Sequence, residues 1–418
     1  MRNVLIINQY SSNKGDRAVL YALVKLLGKY KDYDITVSTS NISDWDNSFI
    51  KERIKFVPWG WDYHLATSNY FLKIKFFILR RIVNLTYALV RTVLLRNYKS
   101  IIISPFINPE FLTALKETDI VISTGGHHIT TILADNAISP QVFDLACCLI
   151  YNKPVVLWAQ SIGPLIFTNK TDELFIKTIL HKVHSIYIRD EKSKSVLSEC
   201  NVDDSKIFLT YETVLSLNNQ ITNYTNINQR DNIIGISIYS TVNRTPTEID
   251  QYVNALSSFI NFCIDFTGYK IVFVPMELKG SAPDDRWLIN KILKKVNNIQ
   301  FCSLLDQDLF TDEHFNFIQN CKYFIGHKTH SVIFSLAAGT PLIAIAYHPK
   351  TFDFMKQFGM EQFVISDNVL NSELLIETFK SLTLNAEQIG KDIFDRCRDL
   401  AETIQDDFDL MIKSNIND

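Results

Sequence analysis

Short runs of β-branched and apolar residues alternate with helical spacing along nearly the whole 418-residue chain. The runs are Asn3–Asn8, Asp34–Ser38, Asp119–Ser123, Val155–Gln160 and Ser185–Arg189, then Ile233–Ile238, Lys270–Pro275, Ile299–Ser303, Tyr323–Gly326 and Leu342–Ala346. Strands separated by helices must run the same way, so the alternation predicts parallel sheets with helices on both faces, an α/β fold. Between the two sets lies the Asn/Gln/Thr tract from Leu217 to Gln229, which lacks apolar periodicity and reads as a linker. Two Rossmann-like, doubly wound domains are therefore expected, over 1–217 and 230–418. Helical spacing from Ala386 to Ile412 predicts a final helix that crosses back to the first domain.

Charge and cysteine usage narrow the function classes. Lys and Arg number 42 against 45 Asp and Glu, so no overall basic field points to nucleic acid. The seven cysteines show no CxxC pair or Cys/His ligand spacing, which predicts a reducing, cytoplasmic setting and no metal site. The opening Met1–Asn8 turns polar at once and reads as a first strand, not a leader peptide.

One segment departs from this even balance. Residues 63–109 hold seven basic residues (Lys73, Lys75, Arg80, Arg81, Arg91, Arg96, Lys99) and no acidic one, which leaves the rest of the chain at −10. Interleaved Phe, Leu, Ile and Val make the segment a candidate interfacial helix at an anionic membrane surface. Core helices whose basic side chains snorkel to water would look the same.

In doubly wound sheets ligands bind beyond the carboxyl ends of the strands, so the chemistry should lie in strand-to-helix loops. The first such loop carries Asn13, Gly15 and Asp16, with Asp16 placed to cap the following helix. It has neither GxGxxG spacing nor a P-loop. The second, Gly125-Gly126-His127-His128, exposes backbone amides and sends its two adjacent histidines to opposite sides. The third is Gln160-Ser161-Ile162-Gly163-Pro164, whose polar pair suits sugar hydroxyls. Arg189 ends the next strand and suits a carboxylate or phosphate, or else pairs with Asp190 or Glu191 at the surface. The richest cluster is Gly326-His327-Lys328-Thr329-His330-Ser331 at a helix N-terminus, where an anion is favoured. His348 and Lys350 follow at the same sheet edge.

Together these motifs resemble the polysaccharide pyruvyl transferase family. The resemblance rests on Asn13-x-Gly15-Asp16, Gly125-Gly126, Gln160 to Pro164, Arg189-Asp190 with Ser193, Gly326-x-x-x-His330, Gly339-Thr340-Pro341 and Tyr347-x-x-Lys350. It spans about Asn3 to Gly359. The resemblance implies a GT-B-like pair of domains facing across a cleft. It also implies transfer of pyruvate from phosphoenolpyruvate, as co-substrate and with no further cofactor, onto two hydroxyls of a sugar to form a ketal. Such acceptors belong to capsule or exopolysaccharide synthesis, where a lipid-linked oligosaccharide would bring the enzyme to the inner face of the cytoplasmic membrane through 63–109.

Under the resemblance His330 is the general acid and Asp16 orients the sugar or acts as base. Arg189, Lys328, Ser331, His348 and Lys350 would hold the donor. Asn13, Gly15, Gly125, Gly126, His127, His128, Gln160 and Ser161 would hold the acceptor. Two departures stand out: Lys328-Thr329-His330 replaces the usual Arg-x-His, and Tyr211-Glu212-Thr213 replaces an Asp-Pro before the linker. Two other readings fit the same fold. A nucleotide-sugar glycosyltransferase would need a second-domain carboxylate, for which Asp306 and Glu277 are candidates. A non-catalytic polysaccharide-binding paralogue needs no chemistry at all.

Overall fold

A computed structural model describes residues 2–11, 13–30, 32–45, 54–61, 84–132, 139–240, 244–278 and 284–416. The strands of its first sheet are β1 (Arg2–Gln9), β2 (Tyr33–Thr39), β3 (Ile54–Pro58), β4 (Ile120–Ser123), β5 (Gly126–Ile129), β6 (Val155–Ile162), β7 (Ser185–Ile188) and β8 (Ile207–Leu209). They lie in the order β3-β2-β1-β4-β6-β7-β8, with β5 paired to β6. The second sheet holds β9 (Asp231–Ile236), β10 (Lys270–Phe273), β11 (Cys302–Leu304), β12 (Cys321–Gly326), β13 (Leu342–Ala346) and β14 (Val364–Ser366), ordered β11-β10-β9-β12-β13-β14. The strand pairs are parallel in both sheets.

In each sheet the winding reverses beside the first strand, between β1 and β4 and between β9 and β12. Those two switch points fix where a ligand crevice can open. The central strands are buried on both faces, as parallel strands under helices must be: Val4 to Ile7 and Leu342 to Ile345 are at most 1% exposed.

The chain forms two compact units: Met1–Ser11, Leu23–Thr213 and Asp406–Asp418 make one, and Ser12–Ala22 with Val214–Gln405 the other. The last helix, Ala386–Ile416, therefore gives its final residues to the first unit. There Phe408 packs edge-on against Trp158 at 5.0 Å, and Asp409 accepts a hydrogen bond from the Tyr30 hydroxyl at 2.8 Å.

The polar tract expected to link the domains is instead packed structure. Its first residues form a 3-10 helix, Thr213–Gln220, in which Leu215, Leu217 and Asn218 are fully buried. Asn218 Nδ2 donates to the Ala337 carbonyl at 2.9 Å, and Asn226 and the Ile227 amide bind the Glu387 carboxylate. Asparagine side chains that satisfy backbone and carboxylate groups have the composition of a solvated loop without being one. The strands β3, β5, β8 and β14 were not visible in the sequence either, because they are short and three of them have no alternating pattern. Ile299–Phe301, expected as strand, is a 3-10 turn ahead of β11.

Of the basic segment, 62–83 lies outside the described residues, with Lys73, Lys75, Arg80 and Arg81. Residues 84–96 are helical and bury Tyr87, Val90, Val93 and Leu94 in the first unit's core. Arg91 is committed to an ion pair with Asp172. Among the described residues no helix is long and apolar enough to cross a membrane.

Candidate active site

The second unit's switch point gathers the richest loop. β12 ends at Gly326, and the helix Thr329–Ala337 begins three residues later with Lys328 as its N-cap. The Lys328 side chain makes no capping bond, and the Ser331 and Val332 amides turn onto the Lys328 carbonyl at 2.9 and 3.3 Å. Ser331, expected on the donor, is fully buried and works for the loop itself: its hydroxyl bonds Ser237 at 2.5 Å and donates to the Lys328 carbonyl at 2.7 Å. Ser237 in turn accepts from the His327 amide at 3.1 Å, which ties β9 to β12 at the reversal.

The two histidines of this loop have different fates. His327 is fully buried, its Nδ1 2.8 Å from the Tyr252 hydroxyl and its Nε2 3.4 Å from Asp367. Burial, helped by the charges of Arg244 and Lys328, holds its pKa well below the usual histidine value, so the ring is neutral. His330 is half-buried in the first helical turn, and its ring lies on the face of Gly15. A Cβ at Gly15 would fall 2.1 Å from His330 Nδ1, so only glycine permits this approach.

That contact shifts the first loop away from its expected place with the acceptor residues. Ser12–Ala22 belongs to the same unit as His330. Asn13, not Asp16, caps the helix Lys14–Leu27: its Oδ1 accepts from the Gly15 amide at 2.7 Å and the Asp16 amide at 3.4 Å. Asp16 sits half-buried in the first turn.

Lys328 is shared between two carboxylates, with Nζ 3.7 Å from Glu277 and 4.0 Å from Asp285, and it lies 5.2 Å from the centre of the Tyr239 ring. Asp285 is spent on the backbone, accepting from the Met276, Glu277 and Ser240 amides. Burial raises the Glu277 carboxyl above its ordinary pKa, Lys328 pulls it down and Asp285 adds to the rise. A second cluster pairs Lys14 and Arg17 with Asp308 at 3.3 and 3.4 Å. Burial lowers the Lys14 pKa against the pull of Asp308. His348 caps the helix Pro349–Gln357, its Nδ1 accepting from the Lys350 amide at 3.1 Å. Thr329 and Thr351 hydroxyls meet at 3.3 Å, which brings the starts of these two helices side by side.

The first unit's switch point is a buried polar network. Gln160 Nε2 donates to the Ser123 hydroxyl at 2.6 Å and to the Ser123 and Thr124 carbonyls. Asn8 Nδ2 donates to the same hydroxyl at 2.7 Å, and Gln9 bonds Thr124. β1 and β6 shift register here, with Asn8 and Ala159 at φ of 75° and 50°, a conformation that persists only where the surroundings over-determine it. The amide oxygens of Asn8, Gln9 and Gln160 have no hydrogen-bond partner among the described residues. Gln160 is fully buried, so it orients the Gly125 turn and offers no open face to a sugar.

Arg189 and Ser161 are likewise turned inward. Arg189 forms an ion pair with the fully buried Glu212, donates from Nε to Ser161 Oγ at 3.0 Å, and reaches the Gly126 carbonyl at 3.4 Å. Neither Asp190 nor Glu191 is its partner: Asp190 caps the helix Glu191–Glu199. Burial pushes the Asp190 carboxyl up, but hydrogen bonds from Ser161 and Ser193 and the Arg189 charge bring it below its usual value. Arg189 lies in the first unit and Lys328 in the second, so neither unit holds both. The half-buried groups left at this edge are Gly126, His127 and His128. His127 Nε2 bonds the Gly163 carbonyl, while the His128 ring covers Gly126, where a Cβ would fall 2.2 Å from Nε2.

Several of these residues went unremarked in the sequence. Lys14 and Arg17 are basic residues one helical turn apart after β1, a spacing that puts them on one face. Asp308 and Asp285 carry no local signal, whereas Glu277, already a candidate carboxylate in the sequence, stands just past the end of β10. Among the described residues no three His, Cys, Asp or Glu side chains are arranged to hold a metal.

Comparison with solved structures recovers the architecture at low identity. S. aureus MnaA with UDP bound aligns at a TM-score of 0.55 and 11% identity, covering 95% of this chain and 91% of that one. HepE of Anabaena in complex with UDP-glucose gives 0.53 and 10%, covering 99% and 100%. The UDP-GlcNAc 2-epimerase of Methanocaldococcus jannaschii gives 0.55 and 12%, covering 91% and 92%. In sequence the chain is 22% identical over 299 residues to the amylovoran biosynthesis protein AmsJ of Erwinia amylovora, 68% of this chain and 70% of that relative. The polysaccharide pyruvyl transferase family model matches residues 13–349, from the capping Asn13 to the helix start after His348. That span includes His127, Gln160, Arg189, Glu277, Lys328 and His330, and the chain belongs to the polysaccharide pyruvyl transferase family.

Proposed function

We propose that this enzyme transfers an activated group from a phosphate-bearing donor to a sugar during assembly of a bacterial surface polysaccharide. The observation that carries the reading is His330, its ring held on Gly15 in the first turn of the helix Thr329–Ala337, two residues from Lys328. An imidazole in the first turn of a helix, where an anion is favoured, suits departure or protonation at a phosphate ester. The Gly126–His128 edge of the first unit is assigned to the acceptor sugar, which a lipid-linked oligosaccharide would supply.

Family membership supports phosphoenolpyruvate as donor. In that chemistry His330 protonates C3 of the enol phosphate while a sugar hydroxyl attacks C2, with Asp16 taking the hydroxyl proton. Phosphate leaves with the proton held by Asp16 as a second hydroxyl of the same sugar attacks C2, closes the ketal and returns its proton to His330. Lys328, the first-turn amides of the helix Thr329–Ala337 and Lys350 would contact the phosphate, and Arg189 is reassigned to shaping the Gly126 turn.

A nucleotide sugar is the second reading, and it has the broader support. Glu277 stands 3.7 Å from Lys328, where a carboxylate opposes a trianion but can accept hydroxyl protons of a ribose or sugar. MnaA and HepE, which share the fold, were solved with UDP or UDP-glucose bound. Thermal unfolding with phosphoenolpyruvate, inorganic phosphate, UDP-sugars and GDP-sugars separates the two, repeated on Lys328→Ala. A true donor at 100 times its dissociation constant adds about 2.7 kcal/mol, and Lys328→Ala should remove that gain. No shift with any of the four would remove the donor site from the second unit.

A further inference from the structure

We infer that the ridge 98–106 of the first unit docks on an anionic lipid surface. Two consecutive 3-10 turns, Ser100–Ile102 and Ser104–Phe106, raise Tyr98, Ile101, Ile102 and Phe106 to 48%, 73%, 41% and 47% exposure. The ridge is fastened from behind. Ile103 and Ile107 are buried in the core, Ser104 and Tyr151 hydroxyls meet at 2.6 Å, and the Asn108 amide donates to the Gly60 carbonyl at 2.8 Å. Its apolar side chains are thus presented outward by a fixed backbone, not by a fraying loop.

The charge around the ridge selects the partner. Arg96 and Lys99 stand exposed at the N-terminal end of the ridge, and from 84 to 109 there is no acidic residue, the first being Glu110 at the start of the helix behind. The 63–109 segment is cationic in sequence while the rest of the chain sits at −10, and its described part, 84–109, keeps Arg91, Arg96 and Lys99 without a carboxylate, a balance that a negative surface attracts. Exposed apolar side chains beside two cations match the headgroup boundary, where acyl chains receive the first and phosphates the second. A second copy of the chain would bring the same cations together and is disfavoured at this face. The inference does not use the donor reading, though a lipid-linked acceptor would give it a purpose.

The test is co-flotation of the full chain with phosphatidylcholine vesicles, with and without phosphatidylglycerol, at low and high salt. Binding is expected only to the anionic vesicles and should weaken with salt. Arg96→Gln with Lys99→Gln should lower the affinity roughly 30-fold, from about 1 kcal/mol per cation. Ile101→Ser with Phe106→Ser should lower it about tenfold. Both pairs lie on the surface, and wild-type melting temperatures would show that the fold is intact. Failure of the wild type to float with anionic vesicles overturns the inference, as does wild-type flotation of either folded variant. So does conversion of a dimer to a monomer by Ile101→Ser with Phe106→Ser while flotation is unchanged, since the ridge would then be a self-association face.

Discussion

Gly15→Ala tests whether the His330 ring must lie where it does. Gly15 is the second residue of the helix Lys14–Leu27 and has no left-handed backbone angle, so alanine suits its backbone and is a better helix former by up to about 1 kcal/mol. The difficulty is only the ring: the new Cβ would stand 2.1 Å from Nδ1 and 2.4 Å from Cγ and Cε1. Ordinary contact begins near 3.4 Å, so the imidazole must retreat by about 1.3 Å or change rotamer. A displacement of about 1 Å at a reacting group costs on the order of 100-fold in rate. The expected result is a kcat about 100-fold lower on the donor found by thermal shift, with a melting temperature within a few degrees of wild type. Steady-state release of phosphate or UDP in the presence of acceptor reads the first, and calorimetry the second. His330→Gln supplies the reference, because the Gly15→Ala, His330→Gln double variant should be no slower than His330→Gln alone. Full turnover of Gly15→Ala, or a further 100-fold fall in the double variant, would refute the placement.

Three further substitutions probe other parts of the molecule. Burial pushes Asp144 up to about 7 despite hydrogen bonds from the Gly60 amide and the Ser38 hydroxyl, so the folded state keeps its proton longer than the unfolded one and loses stability as pH rises from about 4 to 7. Asp144→Asn should therefore gain on the wild type by roughly 4 kcal/mol between pH 4 and pH 8 in urea unfolding, and equal pH dependence would count against the burial argument. Glu277→Gln should weaken nucleotide-sugar binding about tenfold by calorimetric titration, whereas a phosphoenolpyruvate site would bind more tightly once the like charge is gone. Glu212→Gln strands the buried Arg189 charge and should cost about 3–5 kcal/mol in urea unfolding; a loss under 1 kcal/mol would mean the pair is solvated.

The winding of both sheets was legible because parallel strands buried on two faces leave long apolar runs, as in Val155–Trp158 and Leu342–Ala346. Edge strands such as β8, with Phe208 and Leu209 exposed, leave no such run. The strand-end loops were legible too, since polar and glycine residues cluster just past strand ends. What a sequence does not encode locally is the direction in which each polar group is spent. Gln160, Ser161, Arg189 and Ser331 have the chemistry of ligand contacts, yet each bonds its own loop or the neighbouring strand. Asn13 and Asp16 could both cap the helix, and which one does so depends on a backbone path that residue types alone do not set. Glu277 and Asp285 reach Lys328 only through the order of β9, β10 and β12 in the sheet.

The charge pattern around Lys328 bears on what the second unit can hold. A guanidinium at this position would engage a phosphate or carboxylate through two parallel bonds, but an ammonium between carboxylates at 3.7 and 4.0 Å is a point charge already half-compensated. Lys14 and Arg17 on the first helix share the single carboxylate of Asp308, so that cluster keeps one positive charge. A ligand with only negative groups gains Lys328 and loses against Glu277 and Asp285. A ligand that joins phosphate to hydroxyls uses both signs, with its phosphate on Lys328 and the helix end and its hydroxyl protons on Glu277. Asp285 is not free to exchange partners because three backbone amides hold it. On the nucleotide-sugar reading Glu277 is the residue that would read the donor, and changing its charge should move specificity further than changing any other single group around Lys328.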